Sequence, residues 1–505
     1  MKTLRFAAAA ALLALGCGTA IAQSHLRIGL AEDPDILDPT LARTYVGRIV
    51  FASICDKLFD INAKLEIVPQ LALSHETSED GKAVTIKLRP GVKFHDGEPF
   101  DAEAAKFSFE RHMNMQGSFR KPDLGPVDKV EVVDPLTVRL VLKAPSSPLI
   151  AQLTDRAGMM VSPKAAKEAG DKFGLKPVCA GAYKFVERVQ QDRIVVEKFA
   201  DYWNKQNVHI DRITYLPIVD ATVRLANLKS GGLDLLERLL ATDIKEVKAD
   251  SRLKLNATPD LSYMGITINV AKTDKAKNPL GQNAKVRQAL ELAIDREAIN
   301  QVVFNGEFVP GNQWVGPDNF YYQKSVPVSK RDIAKAKALI KEAVVPTPIT
   351  IDFMVPQGAE NKAISEVVQA MAAEAGIDMK IRVTEFATSL KMGESGDYQA
   401  YLIGWSGRTD PDGNLYSFHA CNAPNNNGGY CNADVDKLLN EARTFSDPAK
   451  RKPVYEKVAK ALLTEGQGHI IYLYHRQVLI AQTTKLDGFV PVPDGLVRVV
   501  GLRFK

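Results

Sequence analysis

The sequence predicts an α/β protein, and three features of its 505 residues carry that expectation. Short alternating strands crowd the first half, amphipathic helices enter in the second, and strands still follow those helices. At roughly 150 residues per domain the length allows about three folding units. With 45% hydrophobic and 25% charged residues there is apolar surface for several cores, so disorder is excluded. The balance of 65 basic against 60 acidic residues excludes a nucleic-acid binder built on a basic surface. No low-complexity tract or internal repeat is present.

Met1 to Ala22 reads as a secretory signal. Lys2 and Arg5 make a basic start, Phe6 to Leu15 an apolar stretch, and Ala20-Ile21-Ala22 a small-residue cleavage site. The apolar stretch is shorter than the about 20 helical residues that span a bilayer. Cys17 raises a lipoprotein signal as the alternative, but Ala14 stands where such a signal places leucine. Cleavage after Ala22 removes Lys2 and Arg5 and leaves 483 residues with a charge of +3. No later segment is apolar for long enough to cross a membrane, so an exported, soluble chain is expected.

The elements follow in order. Leu26 to Leu30 alternates as a strand and is followed by the loop Glu32-Asp33-Pro34-Asp35. Val84 to Leu88 alternates again, and the pair Pro90-Gly91 stops it; Val138 to Leu142 is a third strand. Val286, Ala289, Leu290, Ala293 and Ile294 recur at helical spacing, with Asp295 placed to cap the next helix. Ala363 to Ala375 carries another helical stripe, closed by Gly376. Ile381 to Phe386 reads as a strand, Asp434 to Ala442 and Pro448 to Leu463 as helices, and Ile470 to Tyr474 as a buried strand.

Once Cys17 is removed with the signal, Cys55, Cys179, Cys421 and Cys431 remain. An even number in an exported chain favours disulfides, with three possible connectivities. Cys421 and Cys431 bracket a polar, turn-rich loop that a bridge would hold, which leaves Cys55 to pair with Cys179. A metal site on His419, Cys421 and Cys431 is the rival reading, but it has three ligands in view and no CxxC spacing.

Catalytic motifs fail one by one. His75-Glu76-Thr77-Ser78-Glu79 lacks the second histidine of a zinc protease, and Gly404-Trp405-Ser406-Gly407-Arg408 has arginine where GxSxG ends in glycine. No phosphate-cradling glycine loop is present. His95, between Phe94 and Asp96 ahead of a turn, is expected to make structural hydrogen bonds. A non-enzyme without cofactor or metal is expected.

The run Leu88–Glu103, LRPGVKFHDGEPFDAE, resembles the signature of the family 5 solute-binding proteins of ABC importers. These carry dipeptides, oligopeptides, nickel complexes and related solutes. Asp33 to Pro39, Gly181 to Phe185, Phe199 to Trp203 and Val286 to Arg296 are similar to further family segments, in the family's order. The resemblance implies a two-lobed periplasmic binding protein fold with a hinge and an extra subdomain inserted in lobe one. It implies lobe one at 23–59, the insert at 60–172, lobe one again at 173–262, lobe two at 263–473, and a return to lobe one at 474–505. It also implies a periplasmic monomer that binds a small-molecule or short-peptide ligand and docks on importer permease subunits, with no nucleic-acid partner.

The crossing near Ser262 would set Tyr263 and Met264 beside the cleft, or in the packing of the hinge. Trp405 to Asn414 is the segment expected to line the ligand. In dipeptide-binding relatives the similar loop has an aspartate three residues after the tryptophan, which pairs with the ligand's amino group. Here Arg408 holds that position, and a guanidinium suits a carboxylate. Trp405 is the candidate cleft wall, Asp410 a candidate for an amine, and Tyr45 a candidate from lobe one. Against these stand plain turn chemistry for Asp410 to Asn414 and an ion pair of Arg408 with Asp410 or Asp412. The leading expectation is a binder of a peptide or peptide-like solute. A carboxylate-bearing opine or amino-acid conjugate, a nickel chelate or haem, and an exported hydrolase are the alternatives.

Overall fold

The computed structural model describes residues 23–505, so the segment read as a signal, with Cys17, lies outside the described residues. His25–Leu30 buries Leu26, Ile28 and Leu30 completely and runs parallel to Arg212–Pro217 on one side and Leu235–Leu236 on the other. Around it a seven-stranded mixed sheet runs from Leu253–Pro259 through Gln477–Thr483 to the central strands, and on to Arg193–Lys198 and Tyr183–Val189. The helix Tyr45–Ile54 packs against this sheet and is capped by Thr44, whose Oγ1 accepts from the Gly47 amide. Its residues are apolar or small apart from Arg48 and the terminal Tyr45 and Ser53, yet Arg48 is buried too. A disulfide from Cys55, just past this helix, to Cys179 ties it to the segment entering Tyr183–Val189.

A second core belongs to a four-stranded antiparallel sheet in the order Ala72–Thr77, Ala83–Leu88, Thr137–Leu142, Val127–Asp134. The helix Ala102–Asn114, capped by Asp101, lays Phe109 into that core beside Phe94 and Phe100. His95 accounts for itself structurally: one ring nitrogen contacts the Gly181 carbonyl at 3.0 Å, and burial pushes the ring down to about 4.

The second large sheet has six strands, in the order Val309–Pro310, Ile470–His475, Tyr263–Ile268, Ala400–Trp405, Ile349–Pro356, Ile377–Thr384. Helices Ala284–Ala293, Arg296–Phe304 and Ala359–Glu374 contribute to its core. Asp295 caps Arg296–Phe304 by accepting from the Ala298 amide, and Gly376 at φ +87° follows Ala359–Glu374 in the left-handed conformation that ends a helix. One strand differs from expectation. It spans Ile377–Thr384 rather than Ile381 to Phe386, because Ile377 and Met379 are the buried residues. Phe386 instead opens the helix Phe386–Ser395, whose first amides are bound by the Glu385 carboxylate.

The chain passes between the two large sheets at Asp260–Ser262 and again at Arg476, three residues past the expected Leu473. The two passages lie side by side, joined by the Asp260 amide donating to the Arg476 carbonyl at 3.2 Å. Such a pair of adjacent extended segments is a hinge geometry.

The second disulfide joins Cys421 to Cys431 and rules out the rival metal triad, because His419 contacts the Tyr472 hydroxyl while both sulfurs are bonded to each other. The bridge closes a loop with a sequence separation of 10 and so removes freedom from the unfolded chain. Replacing both cysteines by serine should therefore lower stability by about 2–3 kcal/mol. Denaturant unfolding of the double variant against wild type measures this, with an unchanged midpoint as the contrary result.

Candidate functional site

The segment after Ala400–Trp405 turns sharply at Gly407, which has φ +73°. A Cβ there would lie 2.1 Å from the Leu261 carbonyl oxygen, so this backbone can press against the hinge passage only as glycine. Asn414 then braces the turn. Its Oδ1 accepts from the Trp405 indole at 3.0 Å and from the Arg408 amide at 2.7 Å, and its Nδ2 donates to the Arg408 carbonyl. Downstream, Arg451 donates to both Asp410 oxygens at 2.5 and 2.8 Å, and Arg443 to both Asp412 oxygens at 2.7 and 2.8 Å. Asp410 is thus committed to Arg451, which closes the position considered for an amine. The loop's path is fixed by residues outside its tip.

With Asp410 and Asp412 so paired, Arg408 pairs with neither. Its guanidinium lies 4.4 Å over the Trp405 ring and ion-pairs with Asp155, which comes from the opposite side of the cleft. Asp155 also accepts from Arg48 Nε at 3.1 Å, and Arg48 donates to Ser406 Oγ at 3.2 Å. Arg43 with Glu394, and the Ser147 amide with the Arg443 carbonyl, add two more contacts between the same two sides. The lobes are closed on one another.

Around Asp155 gather four guanidiniums, Arg48, Arg120, Arg156 and Arg408, against two carboxylates, Asp155 and Asp123. All five residues of the inner group are buried, with Arg156 at 1%, Arg48 at 3%, Asp155 at 5%, Arg120 at 6% and Arg408 at 9% exposure. Burial opposes the charge on Asp155, but the four arginines outweigh it and hold the carboxyl well below the usual range. Burial pushes Asp123 up, and it draws Arg408 down to about 10 even with Asp155 beside it. A cavity adjoins the group, lined by Arg120, Asp123 and Gln152 on one side and by Trp405, Arg408, Tyr416 and Arg443 on the other. It is a narrow cavity of about 20 Å³ in this closed form and opens to solvent.

The remaining candidates sit elsewhere. Tyr45 starts the helix that carries Arg48; its hydroxyl donates to the Gly495 carbonyl, and Arg238 lies 4.7 Å over its ring. Tyr263 pairs with Trp405 across the sheet and packs on Tyr472 at 4.8 Å, and Met264 is buried in the six-stranded core. Both belong to hinge packing. Arg48, Arg120, Asp155 and Arg156 were not singled out from the sequence. The signal was a lone arginine in the mostly apolar run Val46–Ile54, and the pair Asp155-Arg156 ahead of Ala157-Gly158-Met159-Met160.

Two mixed α/β lobes joined by adjacent passages, with a charged loop of one closed onto the other, define a two-lobed binding protein. The chain belongs to the bacterial extracellular solute-binding proteins, family 5, whose middle region matches residues 66–426. It is 31% identical over 474 residues to the glutathione-binding protein GsiB of Pectobacterium atrosepticum, covering 91% of this chain and 90% of that protein. It is 29% identical to the dipeptide-binding protein of Escherichia coli, covering 85% of each. Among solved structures it is similar to the binding protein AgaA in complex with agropinic acid from A. tumefaciens R10, with a TM-score of 0.87 and 26% identity over 95% of this chain and 99% of that one.

Glu32, buried beside Arg238, sets a pH dependence. Burial raises its carboxyl to about 7, against a partial lowering by Arg238. The folded state then holds the proton more tightly than the unfolded chain, where glutamate titrates near 4.5. The resulting stabilisation is complete below about 4.5 and is lost as pH rises through about 7. Glu32→Gln should therefore gain up to about 3 kcal/mol over wild type at pH 8, and nothing at pH 4. Paired melting curves across that range check it; a difference independent of pH is the contrary result.

Proposed function

We propose that this chain is the periplasmic receptor of an ABC importer, and that it captures a peptide or peptide-like solute through a carboxylate. Arg408 grips that carboxylate and Trp405 forms a wall. The observation that carries this reading is the Arg408 guanidinium, buried at the cleft and closed on a carboxylate from the opposite lobe. A solute carboxylate can pair with the same guanidinium, with the fork geometry that arginine offers, and exchange places with Asp155. The glutathione-binding relative supports a peptide-like solute, and the likeness to AgaA supports an amino-acid conjugate of opine type as the second reading.

Capture follows from the two-body site. Contacts to both lobes favour the closed form only if the solute makes more of them there than in the open form. In this reading 60–172 forms the insert that brings Arg120 and Asp155 to the rim, and the signal ending at Ala22 exports the chain. It works as a monomer and presents the closed form to permease subunits. No helix among the described residues is long and apolar enough to cross a membrane.

The test is thermal unfolding of stripped, refolded protein with short peptides, their C-terminal amides and amino-acid conjugates. A true solute at about 100 times its Kd adds about 2.7 kcal/mol of stability. Free acids should raise the melting temperature of wild type well above their amides, and Arg408→Ala should erase the difference. If acids and amides stabilise both proteins alike, Arg408 does not read the carboxylate.

A further inference from the structure

The group around Asp155 holds more positive charge than one solute carboxylate balances. Its four guanidiniums face two carboxylates, while the neighbouring pairs Arg443–Asp412 and Arg451–Asp410 are closed among themselves. That leaves two positive charges uncompensated, and burial of Asp123 shifts the balance further by disfavouring its charged form. Buried cations without anionic partners are costly, so a site that retains them is built for a counter-charge from outside.

The donors are also unfilled. Arg120 is buried, gives one Nη to Asp123 at 3.0 Å, and leaves its Nε without a hydrogen-bond partner. Arg156 likewise donates to the Ala42 carbonyl at 2.8 Å and leaves its Nε without one. Arg120 and Arg408 line the same cavity from opposite sides, with Gln152 beside them. Arg156 does not line that cavity, so Arg120 is the residue that can meet a ligand there.

We infer that the cavity between residues 119–123 of the insert and the 405–417 segment receives a second negative charge, with Arg120 as its partner, so that the solute is a dicarboxylate. This rests on the carboxylate reading of Arg408 and narrows it. Arg408 takes one anionic group at the closing lobe and Arg120 takes the other from the insert. A solute with a single carboxylate leaves one guanidinium unpaired on closure. Discrimination between the two classes is then set by the insert rather than by the tryptophan loop alone.

Isothermal titration of the stripped protein tests this with four probes. They are glutathione, its glycine monoethyl ester, the iminodicarboxylate N-(1-carboxyethyl)alanine, and alanyl-alanine. At least one dicarboxylate should bind wild type about 10- to 100-fold more tightly than its own monoester or than alanyl-alanine. Arg120→Gln should remove that preference, weakening the dicarboxylates about 10- to 100-fold more than the monocarboxylates, and Arg120→Lys should keep most of it. Absence of a preference for either dicarboxylate over its monocarboxylate counterpart overturns the inference, as does a uniform loss across all probes in Arg120→Gln. If only the iminodicarboxylate shows the preference, the second charge stands and the peptide-like reading falls. If alanyl-alanine binds and neither dicarboxylate does, the inference falls and the peptide reading survives. Binding of none overturns both.

Discussion

One carboxylate holds the closed molecule together at its working surface. Asp155 accepts from Arg48 at the base of the cleft and pairs with Arg408 from the other lobe, and Arg48 reaches on to Ser406. Removing Asp155 would leave buried guanidiniums without their shared counter-charge, which costs more than the pairs themselves contribute. The placement of the surrounding elements follows from that requirement. The helix Tyr45–Ile54 must carry an arginine through an apolar face, and the Arg408 loop must meet it at a fixed height.

That height is set by backbone and packing remote from any solute. The disulfide from Cys55 pins the end of the Arg48 helix to the segment that leads into the large sheet. On the facing lobe Gly407 rests on the hinge passage, Asn414 ties both ends of the turn, and Arg451 and Arg443 absorb its two aspartates. The six-stranded sheet adds Tyr263, which pairs with Trp405 across strands and packs its ring on Tyr472. Hinge, sheet and loop are one mechanical unit.

Much of the fold was legible in the sequence because hydrophobic period and capping residues are local. The stripes ending in Ile294 and Ala375, the cap at Asp295 and the buried run Ile470–Tyr474 reappear within a few residues of where the pattern puts them. The strand at Ile377 was misjudged because its inward residues precede the apolar run that marks it. The loop around Trp405 could be chosen as a candidate through its resemblance to the ligand loop of dipeptide-binding relatives. Its charge partners could not, because Arg48, Arg120 and Asp155 come from segments brought beside Arg408 only by the closed fold. Asp410 shows the same limit: its partner Arg451 lies in the first turn of a helix 41 residues on. A lone charge in an apolar run, as at Arg48, is the trace such a pairing leaves.

The bracing of the Trp405 loop separates its shape from its selectivity. Gly407 and Asn414 determine the path, and neither presents its own charge to the cleft. The side chain at position 408 can therefore change sign without the backbone moving, provided the facing residue changes with it. An aspartate there would call for a different residue at 155 and would suit amines, as the guanidinium suits acids. The scaffold behaves as a socket with one interchangeable contact, so a new nutrient can be adopted by substitutions at two facing positions rather than by rebuilding a lobe.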